Sequence, residues 1–361
     1  MSASPIRRRS LFAASAVSLS TLVFSLSLTG NALAHGVTFK LQHEQAENSA
    51  LNQNFIAPWA QKIYDETGGR MNVLVTTGTD AAGPADLFQL AQDRDADMVW
   101  LTLPGLSGEF PRFGVFGTAL PGATSTGSSQ ALWSWSDVND LGFREFKELR
   151  VVAASRHDAP VFHMREKPVG SLADLQGLRI GIPNADGVDM LAALGASPVV
   201  MTGPEMRTAL TDASADGVLL SWSSLAALGL ADLVKTHASA PAGAPWAYSE
   251  VSALLLNPDA YRGLGDDLKQ VIRANSGNDA SAWVGKVFDE TAAKTRQEAA
   301  SRGATIATLP DSDLAAWNEA AEATISKRVE ALNARKLRGD KTIAKARAII
   351  SEYDSRESSS P

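Results

Sequence analysis

The stretch that decides the fold is Ser171–Gly217, SLADLQGLRIGIPNADGVDMLAALGASPVVMTGPEMRTALTDASADG. At its beginning, Ser171 and Asp174 form a capping pair for a helix of one turn, which Gly177 ends. The next residues, Leu178–Ile182, form a short apolar run closed by a proline, as is typical of a buried strand. The stretch therefore predicts a capped turn that leads directly into a strand.

The rest of the stretch repeats this change between helix and strand. Helical spacing covers Val188–Leu194, with Gly195 at the C-terminal cap, and a second helix covers Pro204–Leu210. Extended runs follow the helices at Pro198–Met201 and Gly217–Leu220. Crossovers this short predict an α/β fold with a parallel sheet, in which ligands lie beyond the carboxyl ends of the strands.

Composition and charge narrow the class of protein. The 361 residues are 45% hydrophobic and 20% charged, which is typical of a globular chain with one large or two moderate cores. A formal net charge of −7 argues against nucleic acid as a partner. The chain has no cysteine, which excludes disulfides, thiol catalysis and zinc-thiolate sites. Its 5 histidines show no ligand spacing, so we expect neither a metal nor a cofactor.

The first 34 residues read as a secretion signal. Arginines at 7–9 precede an apolar run from Leu11 to Leu28, and the small residues Ala32–Ala34 form a cleavage site. We expect export to the periplasm with cleavage near Ala34, by the general secretory or the twin-arginine route. Later apolar runs are shorter than the roughly 20 residues that span a bilayer, so no helical anchor is expected after the leader.

Helical and strand patterns continue on both sides of the central stretch. The mature chain opens with a strand, a helix and a strand, at Val37–Gln42, Ser49–Gly68 and Met71–Thr76. A helix is predicted over Leu225–Val234, a strand over Trp246–Leu256 and a long helix over Asn278–Arg302, and Ser312–Tyr353 has a helical composition with one break. The α/β pattern therefore covers the mature chain and ends in helices.

The central stretch resembles the signature region of the DctP-type solute receptors of tripartite ATP-independent periplasmic (TRAP) transporters. The matching residues are DLQGLRIGIP at 174–183, ALGASP at 193–198, Glu205, Ala209-Leu210 and Asp216-Gly217. The resemblance implies a two-lobed, periplasmic-binding-protein-like α/β fold with a long hinge-spanning helix. It also implies a receptor without enzymatic activity that delivers a small solute to membrane permease subunits; we expect it to act as a monomer.

The same resemblance implies discontinuous lobes. Lobe I is expected to comprise residues 35–159 plus 249–285, and lobe II residues 160–248 plus 286–353. Residues 354–361 are expected to form a loose tail. A solute that contacts both lobes would stabilise the closed form.

One departure from the family pattern concerns the charge of the ligand. The arginine with which the family pairs a substrate carboxylate falls on Gly181, while Glu44 and Asp158 bring negative charge to expected contact segments. A small amine or amino alcohol, such as ethanolamine, complements that arrangement. The alternative is a small organic acid, such as a sugar acid, bound through Arg156 or Arg165.

Aromatic and polar residues near predicted strand ends complete the candidate site. Large aromatic residues near strand ends are as consistent with core packing as with a cleft lined by rings, but together they favour a cleft. The full set of candidate ligand-binding residues is Glu44, Trp100, Thr102, Arg156, Asp158, Asn184, Trp222, Tyr248 and Asn257.

Two other classes of function fit parts of the sequence. A periplasmic enzyme could use His157 and Asp158 as a dyad, but adjacent residues on a strand point to opposite faces. A sensory receptor would need the same closing lobes as a transport receptor, and the sequence does not separate these two roles.

Overall fold

The computed structural model describes residues 36–78, 83–103, 108–138, 143–146 and 149–358. The predicted secretion signal and the last residues of the predicted loose tail lie outside these ranges. In the described part of the chain, no helix combines the length and the apolar character that crossing a membrane requires.

Eleven strands are described, and they form two sheets. The strands are β1 Val37–His43, β2 Met71–Thr76, β3 Met98–Thr102, β4 Arg150–Arg156, β5 Pro160–Met164, β6 Arg179–Ile182, β7 Ser197–Val200, β8 Gly217–Ser221, β9 Thr236–Ser239, β10 Val251–Leu256 and β11 Thr305–Thr308. The first sheet has the order β2-β1-β3-β10-β4, and the second has the order β11-β9-β5-β8-β6-β7.

The helices cover the sheets and close the chain. Those described are α1 Ala57–Glu66, α2 Pro84–Asp93, α3 Ser125–Val138, α4 Val188–Ala193, α5 Gly203–Thr211, α6 Trp222–Ala227, α7 Pro258–Arg262, α8 Asp266–Ala274, α9 Asn278–Ser301, α10 Leu314–Ala334 and α11 Gly339–Ser358. A π-helical turn, Asn52–Ile56, precedes α1. The α/β prediction is confirmed.

The central stretch folds as its local chemistry predicts. Ser171 and Asp174 form a complete capping box on a one-turn 3-10 helix, and Thr202 and Glu205 form another at the start of α5. Strands β7, β6 and β8 are parallel neighbours, with Gly181 paired to Val199 and Val218. The carboxyl ends of these three strands therefore meet at one edge of the second sheet.

Two segments outside the central stretch differ from their predicted elements. The helix predicted over 225–234 ends at Ala227, and Gly229 takes a positive φ of 62° that a helix cannot continue through. The strand predicted from Trp246 begins only at Val251. Before it, the Trp246 and Ser249 amides donate to the carbonyls of Leu120 and Gly117, so a loop from 117–120 takes the backbone bonds that a sheet would use.

Helix α9 joins the two halves of the molecule. Its 24 residues span roughly 36 Å. Val284, Val287 and Phe288 pack in the core beneath the first sheet, whereas Ala299 packs with Val218 beneath the second. The helix is therefore shared between two cores, as a hinge-spanning helix must be.

The last helix extends further than the sequence predicts. The tail expected to loosen after Tyr353 is helical to Ser358. Tyr353 Oη lies 2.7 Å from Ser134 Oγ, and Asp354 Oδ1 accepts a hydrogen bond of 3.1 Å from the Ala123 amide. These contacts hold α11 against α3. Helix α3 precedes β4, which is the strand at one edge of the first sheet.

Candidate ligand-binding cleft

A cavity of about 1230 Å³ opens where strands of both sheets end. Residues that follow β1 and belong to β3 line one side, and residues that follow β6, β7 and β8 line the other. The lining includes Glu44, Gln45, Asn48, Trp100, Thr102, His157, Pro183, Met201, Thr202, Pro204, Met206, Arg207, Ser223, Ser224, Leu228, Glu250, Phe288, Glu290, Lys294 and Glu298. The cavity therefore draws on both sheets and on α9.

The two segments where the chain passes between the sheets form one wall of the cavity. His157 lies between β4 and β5, and Glu250 lies directly before β10. The His157 amide donates to the Glu250 carbonyl at 2.9 Å, which holds the two segments side by side. His157 Nε2 lies 3.0 Å from Ser252 Oγ, which in turn lies 3.2 Å from Thr102 Oγ1. A chain of polar groups thus runs from the crossing into the first sheet.

The Glu250 side chain is hydrogen-bonded to α6, the helix that follows β8 of the second sheet. Ser224 Oγ, on α6, donates a hydrogen bond of 2.5 Å to Glu250 Oε2, and His157 Nδ1 lies 3.7 Å from the same oxygen. Burial raises the pKa of Glu250, and the Ser224 hydrogen bond opposes that shift. Burial also lowers the pKa of His157 to about 3, so the imidazole is neutral at physiological pH.

Glu44 adds a second carboxyl group to the same cavity. It follows β1, and burial together with the nearby charge of Glu250 raises its pKa. Two carboxyl groups that repel each other share protons instead of ionising independently. The cleft therefore holds a pair of acidic groups that accept protons more readily than ordinary surface glutamates.

Aromatic rings form the apolar part of the cleft. Trp100 and Phe288 both line it, and the ring of His157 lies on Phe288 with centroids 4.1 Å apart. Phe55 supports Trp100 from below at 5.8 Å in an edge-to-face arrangement. These contacts fix the rings in place before any ligand arrives.

Gly181 lies where no arginine could stand without repacking. A Cβ atom there would lie 3.1 Å from Val218 Cγ1 and 3.2 Å from Met201 Sδ, with Met206 Cγ next at 3.7 Å. Met201 and Met206 both line the cleft. Methionine side chains therefore occupy the space through which a side chain at 181 would reach the ligand.

Of the residues that the sequence nominates for binding, Glu44, Trp100 and Thr102 line this cavity. All three belong to or directly follow strands of the first sheet, whose ends could be read from apolar runs. Trp100 is completely buried, so it offers no accessible surface to a ligand in this arrangement.

Neither nominated arginine points into the cleft. Arg156 is fully buried, its guanidinium donates to the carbonyls of Leu120 and Pro121, and it lies 4.1 Å above the ring of Trp246. Burial lowers its pKa to about 9. Arg165 follows the far end of β5, where its amide donates to Asp216 before β8 begins. That point is roughly 15 Å, about one strand length, from the cleft edge of β8.

Asp158 and Trp222 are joined to each other beside the cleft. The Asp158 carboxylate accepts hydrogen bonds from the Trp222 amide at 3.0 Å and from the Ser223 hydroxyl. Burial raises its pKa to about 7. The Trp222 ring packs on the imidazoles of His163 and His237, at 4.7 and 4.5 Å. Both side chains lie behind Ser223, which is the residue that reaches the cavity.

Asn184, Tyr248 and Asn257 also make internal contacts. Asn184 Oδ1 caps the following 3-10 turn, while its Nδ2 has no hydrogen-bond partner among the described residues. Tyr248 Oη donates to the Leu219 carbonyl at 2.6 Å. Asn257 caps α7 and donates to the Ala91 carbonyl at 2.8 Å, at the opposite end of β10 from Glu250.

Sequence reasoning did not nominate His157, Ser223, Ser224, Glu250 or Phe288 for ligand binding. His157 and Glu250 lie in crossing segments that show no periodic sequence pattern. Only their position next to an expected lobe boundary could have indicated that they line the cavity. Phe288 lies on the apolar stripe of the predicted long helix and reads as core. In the described part of the chain, no three histidine, aspartate or glutamate side chains are grouped to hold a metal ion.

Comparison with known proteins identifies the family. Residues 41–331 match the model of the bacterial extracellular solute-binding proteins, family 7, known as DctP. This match covers most of the described chain, including both sheets except for the first residues of β1. The identity of the fold therefore rests on more than the central stretch.

Three solved structures of TRAP solute-binding proteins resemble this chain closely. One from Rhodoferax ferrireducens with copurified benzoate is 30% identical, has a TM-score of 0.83, and covers 89% of this chain and 99% of its own. One from a marine metagenome, described as specific for aromatic acids and bound to metahydroxyphenylacetate, is 28% identical with a TM-score of 0.83, covering 88% and 99%.

The third, from Bordetella bronchiseptica with bound mandelate, is 25% identical with a TM-score of 0.77, covering 88% of this chain and 99% of its own. All three have the two-lobed architecture that the paired sheets and α9 form here. The chain belongs to family 7 of the bacterial extracellular solute-binding proteins, and it is a TRAP-type extracytoplasmic receptor that binds its solute without catalysing a reaction.

Proposed function

We propose that this receptor captures a small aromatic carboxylic acid in the cleft between its two sheets and presents it to TRAP permease subunits. The observation that carries the proposal is the apolar part of the cavity wall, which includes Phe288 and the fully buried Trp100 and lies beside hydroxyl-bearing residues such as Thr102. Relatives at 30% and 28% identity hold benzoate and metahydroxyphenylacetate, which supports the same ligand class here.

The rings suit a flat ligand. The His157 ring holds Phe288 of α9 in place, and Trp100 is fully buried against Phe55, so a bound arene would meet an apolar wall that is already fixed at Phe288. Aromatic pairs of this kind contribute about 0.5–1.5 kcal/mol beyond the area that they bury. An amino alcohol has no ring to pack against these residues and could interact with them only through its positive charge.

Polar groups for the ligand's carboxylate come from both sides of the cleft. Thr102 offers a hydroxyl from the first sheet, whereas the Ser223 hydroxyl on the other side already donates to Asp158. Asn184 carries a buried amide Nδ2 without a partner among the described residues, directly after Pro183 of the cavity wall. We propose Thr102 and Asn184 as the oriented donors, with Glu44 and Glu250 beside them.

The amine hypothesis has no support from the relatives, because the three named above hold acids. The alternative of an organic acid agrees with them, although not with the arginines first suggested for it. The Arg156 guanidinium is bonded to carbonyls outside the cavity lining, and Arg165 lies at the far end of β5. The acid must therefore be held without them.

The proposed lobes follow the two sheets. We propose lobe I as residues 35–159 plus 249–285, which holds every strand of the first sheet, and lobe II as residues 160–248 plus 286–353, which holds every strand of the second. Closure would rotate one about α9 and the crossings at His157 and Glu250. We further propose export with cleavage near Ala34, and action as a monomer.

Isothermal titration calorimetry of the purified mature chain tests the ligand class. Benzoate, 3-hydroxybenzoate, metahydroxyphenylacetate and mandelate should release or absorb heat with a saturable profile, and ethanolamine should not. Saturable binding of ethanolamine without binding of any acid would overturn the proposal.

A matched pair of variants tests the role of the rings. Phe288→Leu should weaken the acid by about three- to tenfold, because it removes the stacking surface but keeps an apolar side chain. Phe162→Leu changes an equally large, fully buried ring outside the cavity lining and should leave the affinity unchanged. Equal effects of the two substitutions would remove Phe288 from the site.

A further inference from the structure

The cavity brings together two carboxyl groups where an acid is expected to bind. We propose that the carboxylate of the captured acid is neutralised by a proton shared with Glu44 and Glu250, in place of an arginine. This inference rests on the proposed function. It assigns to the two glutamates the role of proton-carrying donors that recognise the ligand.

Glu250 lines the cavity and has one carboxylate oxygen that is not hydrogen-bonded within the described part of the chain. Ser224 Oγ donates to its Oε2 at 2.5 Å and His157 Nδ1 lies 3.7 Å from the same atom, whereas its Oε1 has no hydrogen bond among the described residues. The side chain is 13% exposed, so it borders the cavity but is largely removed from bulk water. A proton on this group would become a donor pointed at a ligand.

Several charged or titratable groups surround these two glutamates. Facing Glu250 are Glu44 after β1, the neutral His157, and Tyr248, whose hydroxyl is taken by the Leu219 carbonyl. Asp158 lies behind Ser223 and is bound there. At the rim lie Arg207 of α5 and Glu290, Lys294 and Glu298 of α9.

The two cations at the rim are held away from the pair. Arg207 donates to the carbonyls of Leu228 and Gly229 at 3.1 and 2.7 Å. Lys294 is 77% exposed and lies 4.0 Å from Glu298. Neither side chain is buried, as a cation that pairs with a carboxylate inside the cleft would need to be. The described lining thus contains acidic groups at its centre and solvated cations at its edge.

An incoming carboxylate would place a third negative charge beside two others. Like charges brought together in a buried site disfavour ionisation, so the complex should take up a proton from solvent. His157 cannot accept it, because burial already lowers the pKa of that imidazole to about 3. Burial and mutual repulsion raise the pKa of Glu44, and burial raises that of Glu250, so these are the groups that receive it.

Infrared difference spectroscopy tests the proposal directly. The spectrum of the mature receptor with benzoate, 3-hydroxybenzoate, metahydroxyphenylacetate or mandelate, whichever binds most tightly, is compared with that of the free receptor at pH 8. The complex should show the carbonyl stretching band of a protonated carboxyl group, and the Glu44→Gln/Glu250→Gln variant should lack it. A complex without this band would overturn the proposal.

Calorimetry of variants provides a second measurement. Binding is measured between pH 6 and pH 9 in buffers of different ionisation enthalpy. The wild-type affinity for the acid should fall as pH rises, and the fall should approach tenfold per pH unit where both glutamates are ionised in the free receptor. Because a glutamine amide also donates, the double variant should keep its affinity and lose this pH dependence. Glu330→Gln, an exposed change on α10, is the control and should behave like the wild type.

The outcomes separate this inference from the proposed function. If no acid in the panel binds, both fail. If an acid binds without a protonated carboxyl band, and Arg207→Gln or Lys294→Gln abolishes its binding, the receptor function stands and a rim cation, not a shared proton, recognises the ligand.

Discussion

At the scale of single residues, Gly285 shows how closely two helices of this receptor approach. A Cβ atom at Gly285 of α9 would lie 2.5 Å from Thr126 Cα and 2.6 Å from the Ser125 carbonyl oxygen of α3, and both are backbone atoms. Helix propensity alone favours alanine over glycine by about 1 kcal/mol. The clash should reverse that preference, because backbone cannot move aside as a flexible side chain can.

We therefore predict that Gly285→Ala lowers the free energy of unfolding by about 1–3 kcal/mol, measured by urea denaturation. The control is Gly108→Ala, since the structure leaves open space around a Cβ at Gly108 and its φ is not positive. A Gly285→Ala variant as stable as wild type would mean that α3 and α9 separate easily.

Asp158 carries a second prediction at this scale, about pH. Its pKa is raised to about 7 in the folded protein, from an ordinary value of 3.8, chiefly by burial. The folded state therefore binds more protons than the unfolded state between those values. Its favourable contribution is present at low pH and is lost as pH rises through about 7.

The neutral variant Asp158→Asn should remove this pH dependence. Relative to wild type, its free energy of unfolding should improve as pH rises from 4.5 to 8, by up to about 3 kcal/mol. Urea denaturation at pH 4.5, 6 and 8 measures the difference. A difference that stays constant across this range would mean that Asp158 is ionised throughout in the folded protein.

At the scale of elements, the cap of α3 depends on a side chain from another helix. Asp289 of α9 accepts hydrogen bonds from the amides of Ser125 and Thr126, at 2.8 and 2.9 Å, and from Thr126 Oγ1 at 2.7 Å. Asp289→Ala would leave these donors at the beginning of α3 without their acceptor.

We predict that Asp289→Ala lowers the unfolding free energy by about 1–3 kcal/mol. Glu290→Ala, at the next position and 65% exposed, should change it by less than about 0.5 kcal/mol. Chemical denaturation of the two variants side by side measures the contrast. If Asp289→Ala is as mild as its neighbour, the carboxylate does not support α3.

The sequence predicts those elements whose stabilising interactions lie within a few residues, and it does not predict those that depend on distant residues. The central stretch was readable because the capping boxes at Ser171 and Thr202 and the turn at Gly177 act within a few residues. The crossing that ends at Glu250 was not, because bonds to the distant carbonyls of Gly117 and Leu120 hold it out of the sheet.

The candidate site divides in the same way. Glu44 and Thr102 could be nominated because each lies at the end of a readable strand, and the strand end sets its direction. Trp222 and Tyr248 also lie near strand ends, yet their rings turn into the core of the second sheet. Which way such a ring turns depends on neighbours such as His163, which are remote in sequence.

At the scale of the whole molecule, the size of the cavity requires motion. A volume of about 1230 Å³ exceeds the roughly 300–1,000 Å³ of pockets that enclose small ligands. Benzoate would fill only a part of a cavity of this size, and closure would bring groups from both sides, such as Thr102 and Asn184, to the ligand at once. The ligand should therefore stabilise a form in which the sheets approach each other about α9.

Electron paramagnetic resonance with paired spin labels tests this closure, and the absence of natural cysteines makes the labelling specific. Labels at Lys62→Cys on α1 and Thr208→Cys on α5, both exposed positions on opposite lobes, should move closer by more than about 2 Å when a saturating acid is added. Labels at Lys62→Cys and Arg262→Cys, within one proposed lobe, should keep their distance. If calorimetry shows the acid bound while the first distance is also unchanged, the two sheets form one rigid body, and the affinity must arise from the open cleft alone.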